Sequence, residues 1–532
     1  MNTVHTVSGQ QRFNLVDEPW IPVVSKGLLS LRQVFSEPDN PALGGNPIQK
    51  IALTKLLLAI GQAACTPTDT AALNALDAIA FRSACLTYLG KWHDRFWLYG
   101  ERPFLQMPRI KVLIEDRLES ELHSATKKAA IKKAKENALP KAIGAGFYPD
   151  VQADNDSILT QHQASEISGD AERALFILTL MNFAFAGKHF EKNLRPLTPE
   201  YSGKGASAKS GPSIGNHVGY LHSFLTGPFL IDTIMLNLLS SEQVQENPYW
   251  KSGIGTPPWE RMPEGEGCAV ALSLKASYMA TLVSLSRFVI LDGDGVFYVE
   301  GLQYPSHKDG WLEPSMLFKA QDKTPKVAWV DPNQRPWREL PAMLAFLGDA
   351  SPAGGICLFL RYGLDRAKRR HPQIGIWSGG LRVRYKIGGQ SVKQDDDFVE
   401  SLFRFDSSEL DANWYDRFKI EMKQLEDIST FVSISTKKYI KKLEPKSKNK
   451  KDSPLAINLA KKSSTLFWQL AERHVQELVD ACEDTERLPS VRRTIASLAF
   501  QAFDAFCPKD TARQIDAWAS SRPNLSKYLF NN

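Results

Sequence analysis

Hydrophobic periodicity gives the chain two textures. Between residues 265 and 405, short apolar runs rich in β-branched and aromatic residues (288–291, 296–299, 357–360 and 381–385) are separated by turn formers, which is the pattern of strands. Earlier segments predict helices. Asn46-Pro47 supplies an N-cap and a first helical residue for a run, 48–65, that is apolar on most faces, and the run 174–186 reads as a second buried helix. Beyond Phe405 the period becomes helical. Trp414, Phe418, Met422 and Leu425 form one stripe. Leu466, Leu470, His474, Leu478 and Cys482 lie beside Phe467, Ala471, Val475 and Val479 as two ridges, started by Ser463 or Ser464. Val491, Ile495, Leu498, Ala502 and Phe506 make a third stripe, and Ile515, Trp518 and Ala519 mark a last helix. With short connectors between most of them, these helices predict an antiparallel four-helix bundle. The fold class is therefore α+β, with a mixed domain over 1–405 and a bundle over 406–532.

Composition narrows the function. At 532 residues, 43% hydrophobic and 23% charged, the chain has material for two ordinary cores. The run 174–186 is broken by Thr179 and Asn182 and is shorter than the ~20 residues a membrane span needs, so no membrane is expected. Residues 1–11 are polar, unlike a secretory signal, and a cytoplasmic location follows. Six cysteines are scattered singly, so neither a disulfide framework nor a zinc site is expected. No metal and no cofactor are called for.

The net charge of +6 permits nucleic-acid contact, and its distribution matters more than the sum. Residues 127–141 hold six lysines against Glu136, with Lys128, Lys132 and Lys135 at helical spacing. Arg366 to Arg370 is a second basic segment. The connector 437–451 is a third, with eight lysines that include Lys437, Lys438, Lys441 and Lys442. Singly, such segments are solvated faces; together they make phosphate contacts a candidate role.

Gly203-Lys204-Gly205-Ala206-Ser207-Ala208-Lys209-Ser210 approaches the phosphate-binding loop of NTPases, and 288–291 is an apolar strand ending in Asp292, like a magnesium-holding segment. Ala208 stands where that loop needs its second glycine, no apolar strand precedes Gly203, and Pro212 falls where the following helix should continue. A P-loop NTPase using this loop and Asp292 is the alternative function, and a plain surface loop is the bland one. ATP hydrolysis abolished by Lys209→Ala would favour the NTPase. Asp292-Gly293-Asp294-Gly295 lacks the further ligands of a calcium loop and reads as a tight turn. His217 and His222 fall on different helix faces, and His474 reads as a core histidine. No catalytic constellation emerges.

Gly388-Gly389 between two strand-like segments predicts a hairpin turn, followed by Gln390. The opening block Asn14-Leu15-Val16-Asp17-Glu18-Pro19-Trp20-Ile21-Pro22-Val23 and the aromatic run Phe96-Trp97-Leu98-Tyr99 leading to Pro103-Phe104-Leu105-Gln106 resemble the CasA family, the large subunit of the type I-E CRISPR Cascade. Lys209-Ser210-Gly211, the hairpin at 386–391 and Ala471-Glu472-Arg473-His474 add matches in chain order.

The resemblance implies a noncatalytic subunit that recognises the protospacer-adjacent motif (PAM) in double-stranded DNA and starts strand separation for R-loop formation. It also implies docking of the helicase-nuclease in antiviral defence. Gly203, Lys204, Gly205, Ala206, Ser207, Ala208 and Lys209 would lie along the minor groove, where small residues let backbone approach the bases and the lysines meet phosphates. Gly388 and Gly389 would present Gln390 as a wedge under the motif. The implied partners are the backbone, small and guide-processing subunits, the CRISPR guide RNA, target DNA and the helicase-nuclease. One position departs: Asp294 stands where the family places a motif-reading lysine, five residues before Val299-Glu300-Gly301-Leu302. A purely architectural subunit is the third reading.

Overall fold

The computed structural model describes residues 11–143, 169–184, 194, 197, 219–304, 307, 311, 313–319, 326–348, 355–386, 389–391, 397–444 and 452–530. Helices and strands are mixed. The chain forms two compact units: residues 1–332, 356–371 and 376–401 make the first, and residues 333–355, 372–375 and 402–532 the second. The second unit thus draws in two segments from before residue 405.

The first unit is built on buried helices. Asn46 accepts from the Gln49 amide at 3.0 Å while the Gln49 side chain accepts from the Asn46 amide at 3.1 Å, a reciprocal cap that starts the helix Pro47–Ala64. That helix is buried on nearly every face, and so is Asp170–Phe183. Within the first, Lys55 points inward to meet Glu313 at 3.0 Å, both fully enclosed. His222 joins them, its Nδ1 lying 2.7 Å from Ser315 Oγ and 3.4 Å from Glu313. A buried charge held by several partners avoids the penalty of an isolated one.

The two sequence blocks that carry the family resemblance have structural work. Trp20 is 1% exposed and donates through its indole to the Leu15 carbonyl. Asn14 accepts from the Val16 amide and donates to the His93 carbonyl. Strand Arg12–Asn14 pairs antiparallel with Trp97–Tyr99, which joins both blocks. Gln106 is enclosed; it donates to the Leu98 carbonyl at 2.7 Å and accepts from the Leu291 amide at 2.8 Å, which ties the aromatic run to the strand Arg287–Asp292. That strand pairs in register with Gly295–Glu300, from Arg287 opposite Glu300 to Asp292 opposite Gly295. A second sheet orders its strands Phe398–Asp406, Gln373–Leu381, His222–Thr226.

The second unit is helical, with Ala412–Leu443, Pro454–Glu472, Val475–Glu483, Leu488–Asp504, Ala512–Ser521 and Ser526–Phe530. The first of these runs 32 residues, about 48 Å at 1.5 Å per residue. Trp414, Phe418, Met422 and Leu425 are all buried, as their spacing predicts. Tyr439, Ile440, Ala456, Phe503, Cys507 and Ala517 form one core cluster, and Arg492 pairs with the enclosed Glu421.

Several local expectations are corrected. Residues 357–360 are the start of the helix Leu358–Arg370 with Cys357 at its N-cap, since four apolar residues fit a buried helix turn as well as a strand. The ridge 466–482 is two helices that break at Arg473 and His474, and the first begins at Ser453-Pro454, leaving Ser463 mid-helix and buried. His474 is outside the core and faces Glu477 at 3.0 Å. In the last stripe Ala517 is the buried residue, while Ile515 is half exposed. Residues 437–443 are the end of the long helix instead of a connector.

Candidate nucleic-acid interface

The glycine-rich segment 198–218 lies outside the described residues, so Gly203, Lys204, Gly205, Ala206, Ser207, Ala208 and Lys209 carry no structural account. Its two roots are described. On one side Leu197 is fully buried and its carbonyl accepts from the Glu266 amide at 2.7 Å. On the other side the Gly219 carbonyl accepts from the Val330 amide at 2.9 Å, and Leu221 donates to the Ala328 carbonyl at 3.0 Å. Gly219 is hemmed in. A Cβ there would stand 2.7 Å from Val383 Cγ2 and 2.9 Å from the six-membered ring of Trp329, closer than real Cβ atoms approach.

Val383 leads into the hairpin. Strand Arg384–Lys386 pairs with Gly389–Ser391 in the register Arg384 to Ser391, Tyr385 to Gln390 and Lys386 to Gly389. Gly388 falls outside the described residues. Gln390 is the second residue of its strand, opposite Tyr385, so it stands one position beyond the pair that closes the turn instead of at its tip. Tyr385 follows Val383 by two residues, about 7 Å of extended chain. The base of this excursion is clasped. Arg382 donates its amide to the Asp397 carbonyl at 2.8 Å and its guanidinium pairs with the enclosed Asp397 carboxylate.

The acids near the second glycine-rich turn are occupied. Gly293 at φ +57° takes the left-handed position that a two-residue connection from Asp292 to Gly295 needs. Asp292 pairs with Lys111 at 2.6 Å and Asp294 with Arg173 at 2.7 Å. The NTPase reading asks Asp292 to hold a metal, and here it holds a lysine. Among the described residues no three His, Cys, Asp or Glu side chains gather as a metal site. Glu300 lies across the ladder from Arg287. Burial pushes its carboxyl up to about 7, and the Arg287 charge opposes that only in part.

The three basic segments differ in kind. Lys128, Lys132 and Lys135 are exposed on the helix Lys128–Asn137. Arg366 turns inward, only 3% exposed, and donates through Nη2 to the Leu236 and Leu238 carbonyls at 2.6 and 2.9 Å. Burial, with the neighbouring Arg370 charge, pulls it down to about 10. Arg370 likewise donates to the carbonyls of Leu73, Asn74 and Leu76. These two arginines staple the fold through backbone carbonyls. In the second unit Lys437 is half-buried and pairs with Asp452 at 3.2 Å, Lys438 and Lys441 are exposed, and Lys442 donates to Ser520.

Sequence reading missed Trp329, the Arg382–Asp397 clasp and the Lys55–Glu313–His222 group. All three depend on contacts between distant positions. Nothing local distinguishes them.

Comparison with known proteins is consistent across most of the chain. The family model described as CRISPR-associated protein Cse1 matches residues 14–502. A CRISPR-associated protein CasA/Cse1 of Thermus thermophilus is 27% identical over 360 residues, which span 63% of this chain and 60% of that protein. A crystal structure of Thermus thermophilus CasA superposes with a TM-score of 0.65 at 18% identity, covering 96% of this chain and 98% of that one. Thermobifida fusca Cse1 gives 0.61 at 17% identity with 98% of each chain covered. A chain of a CRISPR RNA-guided surveillance complex gives 0.59 at 14% identity, covering 96% and 98%. At these identities the superpositions speak for the fold, and the sequence match over 14–502 speaks for kinship. The chain belongs to the CRISPR-associated Cse1 family.

Proposed function

We propose that this chain is the noncatalytic large subunit of a type I-E CRISPR surveillance complex. In that role it reads the PAM in double-stranded DNA and begins to part the strands so that guide RNA can pair with its target. The observation that carries this reading is the contact at Gly219. Gly219, which follows the glycine-rich loop, and Val383, which leads into the hairpin, lie against each other, and this supports a shared site for the two segments.

Each segment suits its part. A minor groove about 6 Å wide admits backbone bearing small side chains, which Gly205, Ala206 and Ser207 supply, with Lys204 and Lys209 for the flanking phosphates. Gln390, with Gly388 and Gly389 before it, is the wedge. Pushing a side chain into the stack costs a few kcal/mol of unstacking, which the groove and phosphate contacts offset. Exposed Lys128, Lys132, Lys135, Lys438 and Lys441, with Lys437 and Lys442, add contacts that carry no sequence information. The helices over 406–532 form the bundle domain that meets other subunits and the helicase-nuclease. The chain works in the cytoplasm, in antiviral defence.

The test is Gln390→Ala in an assembled complex. Duplex opening, followed by fluorescence of a base analogue beside the motif, should slow by tenfold or more, while binding to motif-free duplex changes little. Equal losses of both would refute the wedge.

A further inference from the structure

Side chains alternate along the aromatic run that begins at Phe96. Phe96 and Leu98 are fully buried, while Trp97 and Tyr99 turn to the other face and stay partly exposed. Trp97 lines a cleft of about 370 Å³ in the first unit. Its ring is braced. His93 packs against it edge to face, with centroids 5.9 Å apart at 87°. His93 is itself held by Asp17, 2.6 Å from Nε2, and by Asn14, which donates to its carbonyl at 3.1 Å. Trp92 is a second indole in the wall, with the Lys91 ammonium 5.3 Å from its ring centroid. Arg95 and Arg102 complete the cationic lining, and neither pairs with an acid among the described residues. Asp94 and Glu101 bring two carboxylates to the same walls, and Gly100, at φ +144°, stands beside Glu101 without a side chain.

We infer that this cleft binds a single unpaired nucleotide, with its base laid on Trp97 and its phosphate met by Arg95, Arg102 and Lys91. An indole accepts the π-face of any base, and the forked donors of arginine match phosphate oxygens. Asp94 and Glu101 repel a bare anion yet accept hydrogen bonds from base amino groups and sugar hydroxyls, so the lining suits a nucleotide better than inorganic phosphate. The volume is near the lower end of the ~300–1,000 Å³ usual for ligand clefts, which admits one nucleotide and excludes a duplex. None of the residues assigned to the duplex lines this cleft, so the inference stands or falls apart from the PAM-reading role.

The experiment uses the full-length chain labelled with 5-fluorotryptophan, its Trp92 and Trp97 fluorine resonances assigned through Trp92→Phe and Trp97→Phe. The chain is titrated with adenosine 5′-monophosphate, with single-stranded hexamers of RNA and of DNA, and with inorganic phosphate. Nucleotide should shift the Trp97 resonance saturably, and inorganic phosphate at the same concentration should not. Trp97→Ala, followed at Trp92, should weaken binding about tenfold, as for the loss of one base–aromatic stack, and Trp97→Phe should recover most of it. Arg95→Gln and Arg102→Gln leave both rings in place. Each should weaken binding several-fold and reduce the slope of log K against log salt by about 0.7 with either hexamer, which keeps the test decisive should Trp97→Ala fail to fold. A hexamer that binds far more tightly than the monophosphate supports the site with a strand as its source, and the RNA-to-DNA ratio says which strand. Equal affinities support it with a free nucleotide as ligand. Trp92 and Trp97 resonances unmoved by every nucleotide, an equal response to inorganic phosphate, or full affinity in both arginine variants overturns it.

Discussion

Gly219 and Val383, 164 positions apart in the sequence, touch so closely that a Cβ on the glycine would stand 2.7 Å from Val383 Cγ2. No left-handed backbone angle is involved at Gly219, so its requirement for glycine is one of space alone. Gly219→Ala should therefore force the two roots apart. The expected cost is about 1–3 kcal/mol of stability, as for overpacking generally, with a larger loss in duplex opening. Val383→Ala in the same chain should recover part of both, because it removes the nearest colliding atom. Denaturant melts and opening rates on the double-mutant cycle check this, and strict additivity would deny the coupling.

The basic residues should sort into two groups. Arg366→Ala leaves the Leu236 and Leu238 carbonyls without their donor and should cost about 2–4 kcal/mol of stability. The salt dependence of DNA binding by the surviving folded protein should stay as it was. Lys132→Ala, on an exposed helix face, should leave stability within about 0.5 kcal/mol. If Lys132 meets a phosphate, the slope of log K against log salt should fall by about 0.9. Thermal melts and binding titrations over a salt series separate the two behaviours.

Glu300 gives the first unit a pH dependence of known sign. Its carboxyl is raised from 4.5 to about 7 by burial, so the folded chain holds a proton that the unfolded chain has released. This group therefore makes the protein less stable as pH rises from about 4.5 to about 7, with no further change above. Glu300→Gln should match wild type at pH 4 and exceed it at pH 8 by up to about 3 kcal/mol, less whatever solvent screening removes. Urea unfolding at the two pH values decides it, and a gap of the same size at both would show that the effect is packing.

Where a signal is local, the sequence was readable. The reciprocal cap of Asn46 and Gln49 needs only four residues, and the stripe Trp414, Phe418, Met422, Leu425 needs only a period. Errors came where one residue type serves two ends. Cys357 to Leu360 is too short an apolar run to separate strand from helix, and Ser463 sits inside a helix whose cap is Ser453, ten residues earlier. Arg366 and Arg370 look like a solvated basic face until their carbonyl partners, more than a hundred residues away, are seen. At the candidate site, the hairpin was readable from Gly388-Gly389, and the one-residue offset of Gln390 from its turn was not. Trp329 could not be found before Gly219 was placed beneath it.

Whether the glycine-rich loop and the hairpin act on one short stretch of duplex can be measured directly. A cleavage reagent tethered at Ser207→Cys or at Gln390→Cys, with the partly exposed Cys65 and Cys268 replaced by serine, would be used to cut bound target DNA in the assembled complex. Both probes should cut within a few base pairs of each other beside the motif. Cuts separated by a helical turn or more, about 34 Å along the duplex, would contradict the account.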